Sequence, residues 1–389
     1  MSGQLELSGL DYRTGEPLRI VVEDGCISAI APGSLSSPAC EAGLYVGPGL
    51  VDLQINGYGG DDFNTLLGDG GEFPLERIAR RLAARGCTTF YPTVITNGDE
   101  ELCELLAAID RACRLHPEWA GFIGGIHLEG PFISPEDGAR GAHPLEHVTA
   151  PEWAKLQRWQ EASGGRIRLL TMSPEWPGSD SFIARCAAAG LVVSIGHTSA
   201  TPEQIRAAAA AGARMSTHLG NGAHRMLPRH PNYLWEQLAL DELSCGLIAD
   251  GFHLPDQVLK VIMKVKEDWA FLVSDAVSLA GMAPGRYETH IGGCVVLTPN
   301  GRLHMESNED LLAGSVTLLP DAVSHLTERG LVDFGTAWDM ASLRPALQMG
   351  LPAAQGLSVG APADLATFRR AGTRIELQQV VKAGRLVSK

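Results

Sequence analysis

The chain has 389 residues, 45% hydrophobic and 20% charged, an ordinary globular composition with enough length for one large barrel or for two or three smaller domains. Its 31 basic and 45 acidic residues leave a formal charge of −14, which argues against nucleic acid or an anionic membrane as partner while leaving room for a local basic pocket that takes a small anion. Eight cysteines stand singly with no Cys-x-x-Cys pair, and no uncharged apolar run reaches the length of a membrane span, so a cytoplasmic protein with reduced cysteines is expected.

In chain order, residues 4 to 46 carry short alternating segments, such as 18–22 and 26–30, broken by Gly, Pro and Asp, which read as strands. From residue 47 to 280 the rhythm changes to eight apolar runs, 49–56, 88–96, 122–129, 167–174, 191–197, 214–218, 245–253 and 271–275, most of them followed by a stretch rich in Ala, Leu, Glu and Arg. Such alternation predicts βα units, and eight of them make a (β/α)8 TIM-type barrel the economical α/β architecture, with active residues where the strands end. One helix is readable in detail: Thr201 is the N-cap, Pro202 the first helical residue, Gln204 the partner in a capping box and Gly212 the C-terminal stop. Beyond residue 350, segments 365–368 and 378–381 alternate again. The expected division is 1–47 and 350–389 in one small β-sandwich domain built by both termini, with 48–349 as the barrel.

The polar residues that interrupt these runs carry the chemistry. On the first run, Gln54 and Asn56 occupy the alternation of a His-x-His metal motif, and amides are poor zinc ligands. That argues for one metal ion, with Gln54 and Asn56 supporting the ion or its water. His127 and Glu129 lie two apart on the third run, hence on one face, and a buried Glu is costly unless paired or coordinated. His197 and His218 end consecutive runs. A lone His is usually a satisfied core or surface residue; two at equivalent strand ends beside a Glu form a catalytic metal set with room for water. Asp275 ends the last run, where it either caps a loop or serves as an acid-base group beside the ion.

A basic set remains: His143 in Arg140-Gly141-Ala142-His143-Pro144, Asn221-Gly222, Arg229 in Leu227-Pro228-Arg229-His230-Pro231, and His253 after Asp250-Gly251-Phe252. At a barrel mouth these suit an anionic polar ligand, since Arg offers a planar fork and Asn-Gly exposed backbone donors. Ordinary surface charge is the competing reading of Arg229 and His230, and Arg140, His224 and Arg225 are further candidates. Leu312-Ala313-Gly314 is a turn that could also line the pocket.

In order, Pro48-Gly49-Leu50-Val51-Asp52 with Gln54-Ile55-Asn56-Gly57, His127-Leu128-Glu129-Gly130-Pro131, Gly196-His197, Thr217-His218-Leu219, Asp250-Gly251-Phe252-His253, Ser274-Asp275-Ala276 and Leu312-Ala313-Gly314-Ser315 resemble the N-acetylglucosamine-6-phosphate deacetylases of the amidohydrolase superfamily. The resemblance implies that Glu129, His197 and His218 bind one divalent ion, zinc ahead of ferrous iron, and that Asp275 is the general acid-base. It further implies that His143 polarises the acetyl carbonyl and that Ala142, His143, Asn221, Gly222, Arg229, His253, Leu312, Ala313 and Gly314 bind the amino-sugar phosphate, with Arg229 reaching across a homodimer. The stretch 220–233 departs from the family's common wording, and Ser274 stands where Thr is more usual. Deacetylation of N-acetylgalactosamine 6-phosphate or of an unphosphorylated sugar, or an N-acyl amino acid hydrolase, are the alternatives; a non-catalytic binding protein fits the intact ligand set poorly.

Overall fold

A computed structural model describes residues 5–65, 73–290 and 293–388. Eight parallel strands follow one another in a single sheet in chain order: Leu50–Ile55, Cys87–Ile95, Ile126–Glu129, Ile167–Met172, Val192–Ile195, Ala213–Ser216, Ser244–Leu247 and Ala270–Leu272. The first and last meet through a parallel bridge between Ile55 and Ala276 and through Asp275 N–H donating to Gln54 O at 2.8 Å, which closes the barrel. Each strand overlaps the apolar run that predicts it, though most are shorter. The fifth stops at Ile195, the sixth at Ser216 and the eighth at Leu272, because His197, His218 and Asp275 leave the β-region for positive φ.

Period-2 alternation sorts the strands into an inner and an outer face. Outward residues such as Ile126, Leu128, Leu170 and Val193 join the large core under the helices. Inward residues form two unlike layers: Val51, Leu53, Tyr91, Leu169, Met215 and Phe271 pack as an apolar plug, and two residues further along their strands stand the buried Thr93, Thr171 and Thr217. The helix Pro202–Ala211 keeps every feature read from its sequence: a two-way capping box between Thr201 and Gln204, proline at its start, and Gly212 at φ 119° at its end.

The termini meet in one seven-stranded sheet in the order Arg385–Ser388, Arg374–Lys382, Leu365–Ala371, Leu44–Pro48, Leu5–Asp11, Pro17–Glu23, Cys26–Pro32. Its pairs are antiparallel except for Leu5–Asp11 beside Leu44–Pro48. Ile20, Val22 and Ile27 share one apolar core with Leu365 and Val381, so strands from the two chain ends pack together.

One element was not anticipated. After the eighth strand the chain makes a four-stranded antiparallel sheet, Gly285–Thr289, Gly293–Leu297, Leu303–Met305 and Asn308–Leu312. A small cluster of Leu279, Val295, Leu297 and Leu303 lies beneath it, with Tyr287, Met305 and Val316 packed against it. This sheet returns the chain to the mouth, where Ser315 bridges Ala276 and Ser315 O accepts from Val277 N–H at 2.9 Å.

Candidate active site

Glu129 closes the third strand, and His197 and His218 follow the fifth and sixth. Glu129 Oε1 lies 3.2 Å from His197 Nε2 and 3.1 Å from His218 Nε2, and the two ring nitrogens are 3.1 Å apart. All three side chains are buried. His197 Nδ1–H donates to Ala139 O at 3.0 Å, so a neutral ring turns the lone pair of Nε2 into the cluster. Three lone-pair donors converging this closely repel one another unless a cation or a proton lies among them. Ligands 2.0–2.1 Å from a tetrahedral zinc stand about 3.3 Å apart, close to the observed spacing, so one carboxylate and two imidazoles here fit a divalent ion. Glu129, His143 and His197 likewise bring one ligand atom each within 4.8 Å of one another, which places His143 beside anything bound at that ion.

Backbone strain concentrates in the same residues. His197 has φ 49°, His218 φ 28° and Asp275 φ 45°, left-handed values that cost on the order of 1–3 kcal/mol each for such side chains. Neighbouring backbone restrains the two histidines: Ser134 N–H donates to His197 O at 2.8 Å, and Asn221 holds His218 O through its own N–H at 2.9 Å and through Nδ2 at 3.2 Å. Gly222, at φ 54°, passes so close that a Cβ there would stand 2.7 Å from His197 Nδ1.

The two amides of the first strand each hold a carboxylate. Gln54 Nε2 donates to Glu129 Oε1 at 3.0 Å, and Asn56 Nδ2 donates to Asp275 Oδ1 at 2.7 Å. Burial and the neighbouring Glu129 charge push the Asp275 carboxyl up to about 6, nearer the range where a carboxylate both takes and returns a proton. Burial also works against the Glu129 charge, but the contacts with His197 and His218 outweigh it and hold Glu129 well below the ordinary carboxylate value. Burial and the neighbouring His197 hold His143 down to about 3. His143 is therefore a neutral ring, and its Nδ1 lies 2.8 Å from Thr96 Oγ1.

Toward solvent the sequence-predicted residues spread out. His253 is half-buried, with Nδ1–H donating to Asp250 Oδ2 at 2.6 Å. Leu312, Ala313 and Gly314 are half-buried, and Ala142 and Arg229 are exposed. His224, one of the further candidates, sits 3.0 Å from Glu136 and from the Tyr233 hydroxyl, so it ties the 221–233 loop to the loop that carries Ala139. Residue-level reading missed four contributors: Thr96, the Ala139 carbonyl, Asp250 and Ser134. Only Asp250 had a signal, three residues before His253 in a motif already singled out.

No protein-family model matches the chain. The N-acetylglucosamine-6-phosphate deacetylase of Bos taurus is 34% identical over 334 residues, 83% of this chain and 79% of that one. The chain belongs to the N-acetylglucosamine-6-phosphate deacetylase family, within the amidohydrolase superfamily. Solved members of the family superpose over the whole fold. A variant of the Mycobacterium smegmatis deacetylase in complex with N-acetyl-D-glucosamine-6-phosphate has a TM-score of 0.86 and 27% identity, covering 100% of both chains. The Thermotoga maritima deacetylase has a TM-score of 0.85 and 25% identity, covering 99% of this chain and 100% of that one. Among the described residues no helix is long and apolar enough to cross a membrane.

Proposed function

We propose that the chain hydrolyses the acetamide of N-acetyl-D-glucosamine 6-phosphate to D-glucosamine 6-phosphate and acetate, with one divalent ion held by Glu129, His197 and His218 and with Asp275 as general acid-base. The observation that carries this is the convergence of Glu129 Oε1 and two Nε2 atoms within 3.2 Å, with an Asn56-held carboxylate just past the end of the closing strand. Zinc is the ion proposed, with ferrous iron as its competitor for the same ligands. When bound, the ion makes water acidic enough to ionise near neutral pH and supplies positive charge for the oxyanion.

The chain's own residues do the rest. Asp275 accepts the proton from water as the new C–O bond forms, then delivers it to the amide nitrogen so that the C–N bond breaks and the amine leaves. Asn56 keeps Asp275 turned toward the site through these two transfers. Neutral His143, fixed by Thr96, presents its other ring nitrogen to the acetyl oxygen, a contribution on the order of a few kcal/mol for a well-placed donor. Gln54 orients the Glu129 carboxylate. Ala142, Asn221, Gly222, His253, Leu312, Ala313 and Gly314 form the sugar pocket, with Arg229 as the phosphate ligand in a cytoplasmic homodimer. The barrel that does this work is residues 48–349, and the terminal segments 1–47 and 350–389 form the supporting domain.

The exposed Arg229 in a loop of unusual sequence makes phosphate recognition the point to test. Zinc-loaded protein is compared for acetate release from N-acetylglucosamine 6-phosphate and from N-acetylglucosamine, alongside Arg229→Ala. A strong preference for the phosphorylated sugar, erased by Arg229→Ala, is the expected result. Equal rates on both sugars would keep the deacetylation and remove the phosphate site; release from neither would overturn the proposal.

A further inference from the structure

His127 is buried inside the barrel and takes no part in the site above, although it shares a strand and a face with Glu129. Its Nε2 lies 2.7 Å from Thr171 Oγ1; Thr171 Oγ1 lies 2.7 Å from Thr217 Oγ1; and Thr217 Oγ1 lies 2.6 Å from Ser194 Oγ. All four side chains are buried. They come from the third, fourth, fifth and sixth strands or their ends, one from each. This chain therefore runs beneath all three residues assigned to the ion: His127 is two before Glu129, Ser194 three before His197, and Thr217 immediately before His218.

The neighbouring layer shows the alternative. Leu169, Met215, Tyr91 and Phe271, on the same inward face, fill the barrel with hydrocarbon, as barrel interiors usually are. Burying a ring and three hydroxyls instead is costly unless each finds a partner, and here each does. What the polar layer adds over hydrocarbon is direction: short hydrogen bonds fix the lateral spacing and the side-chain orientation of four strands, whereas aliphatic contacts tolerate sliding. The spacing fixed in this way lies directly under donor atoms that must stay within 3.2 Å of one another.

We propose that His127, Thr171, Thr217 and Ser194 are positioning residues that preset the Glu129, His197 and His218 geometry for the ion. This rests on the ion site proposed above. Outer partners of metal ligands typically change affinity by about 10–100-fold when removed, and this layer acts one step further down the same strands.

The test measures zinc affinity by competition against a chelator, together with melting of the ion-free proteins. Thr171→Val cuts two links and keeps the branched shape; it is expected to weaken zinc about 10–100-fold, and Thr171→Ser is expected to restore it. Thr367→Val, which removes a buried hydroxyl without a partner in the terminal sheet, should leave affinity unchanged. Combining His127→Asn with Thr171→Val should weaken zinc no further than Thr171→Val alone, since both break one chain. If Thr171→Val does not fold, Ser194→Ala at the far end takes its place and the same loss is required. Zinc affinity within twofold of the unsubstituted protein, or additive losses in the double variant, would overturn the inference. Absence of stoichiometric zinc in the unsubstituted protein would instead overturn the ion site itself.

Discussion

Left-handed backbone is used differently at the barrel mouth and in the sheet made by the chain ends. In the sheet, the non-glycine residues at positive φ are Asp24 at 49° and Ala383 at 48°, each followed by a glycine at positive φ and each in a two-residue turn between antiparallel strands. That is the geometry a tight hairpin demands. At the mouth the same backbone region holds His197, His218 and Asp275, where no hairpin asks for it. There the strain turns a side chain at the end of a parallel strand inward, toward the barrel axis. Of these five residues, the two in the sheet serve a turn and the three at the mouth aim a side chain into the candidate site, and only the second kind is expensive to disturb.

Removing the chemistry while keeping the strain should cost the most. Asp275→Asn preserves shape and leaves Glu129, His197 and His218 in place, so zinc stoichiometry should hold while kcat falls about a thousandfold or more, given the two proton transfers assigned to this group. Steady-state acetate release with parallel metal analysis checks it; near-normal turnover would strike Asp275 from the mechanism. Next is the packing of the mouth. Gly222→Ala adds a methyl 2.7 Å from His197 Nδ1 at a residue with φ 54°, so either the ring or the loop must move. Zinc affinity should drop about tenfold or more with a loss of stability of about 1–2 kcal/mol. Unchanged affinity in chelator competition would mean that the loop yields and the ring does not.

What the sequence made legible, and what it hid, follows the same division. Fully buried parallel strands advertise themselves as unbroken apolar runs, so all eight were readable, and the Thr201–Gly212 helix carried its own punctuation. Glu129, His197, His218 and Asp275 stood out in the sequence because each breaks an apolar run with a polar side chain at a strand end, and the fold brings the first three within 3.2 Å. The four-stranded insertion was not, since residues such as Arg286, Glu288, Glu309 and Asp310 are exposed and only one side of it meets a core. Nor could the roles of Gln54 and Asn56 be foreseen beyond general support. Their partners lie 75 and 219 residues away and meet only across the closed barrel. The Ala139 carbonyl that fixes His197 is a backbone group with no side-chain signal at all.

The cost of the mouth should also appear in stability when no ion is bound. Burial and Glu129 raise Asp275 to about 6, above the roughly 3.9 of an unfolded aspartate. The native state therefore binds more protons than the unfolded state between those two values, and stability falls as pH rises through that window. Asp275→Asn lacks the term. With the ion removed by chelation, it should melt about 1–3 °C above the unsubstituted protein at pH 7.5, and the gap should close near pH 4. A gap of the same size at both pH values would show that the carboxylate charge is not its source.

A much milder change is expected in the sheet, where strain serves only the turn. Ala383 is exposed and left-handed, its backbone N–H donates to Asp364 Oδ1 at 2.8 Å, and Gly384 follows it. Asn tolerates this region because its short polar side chain bonds locally, and Asn-Gly is the preferred pair for such a hairpin. Ala383→Asn keeps the backbone donor and should stabilise the protein by about 0.5–1 kcal/mol, a rise in melting temperature of about 1 °C, with turnover and zinc affinity unchanged. Because the strand after the turn, Arg385–Ser388, is an edge strand, the gain appears only if this edge melts together with the rest of the chain. A melting temperature that does not move would show that the edge frays before the barrel unfolds, and a change in turnover would show that the two regions are coupled.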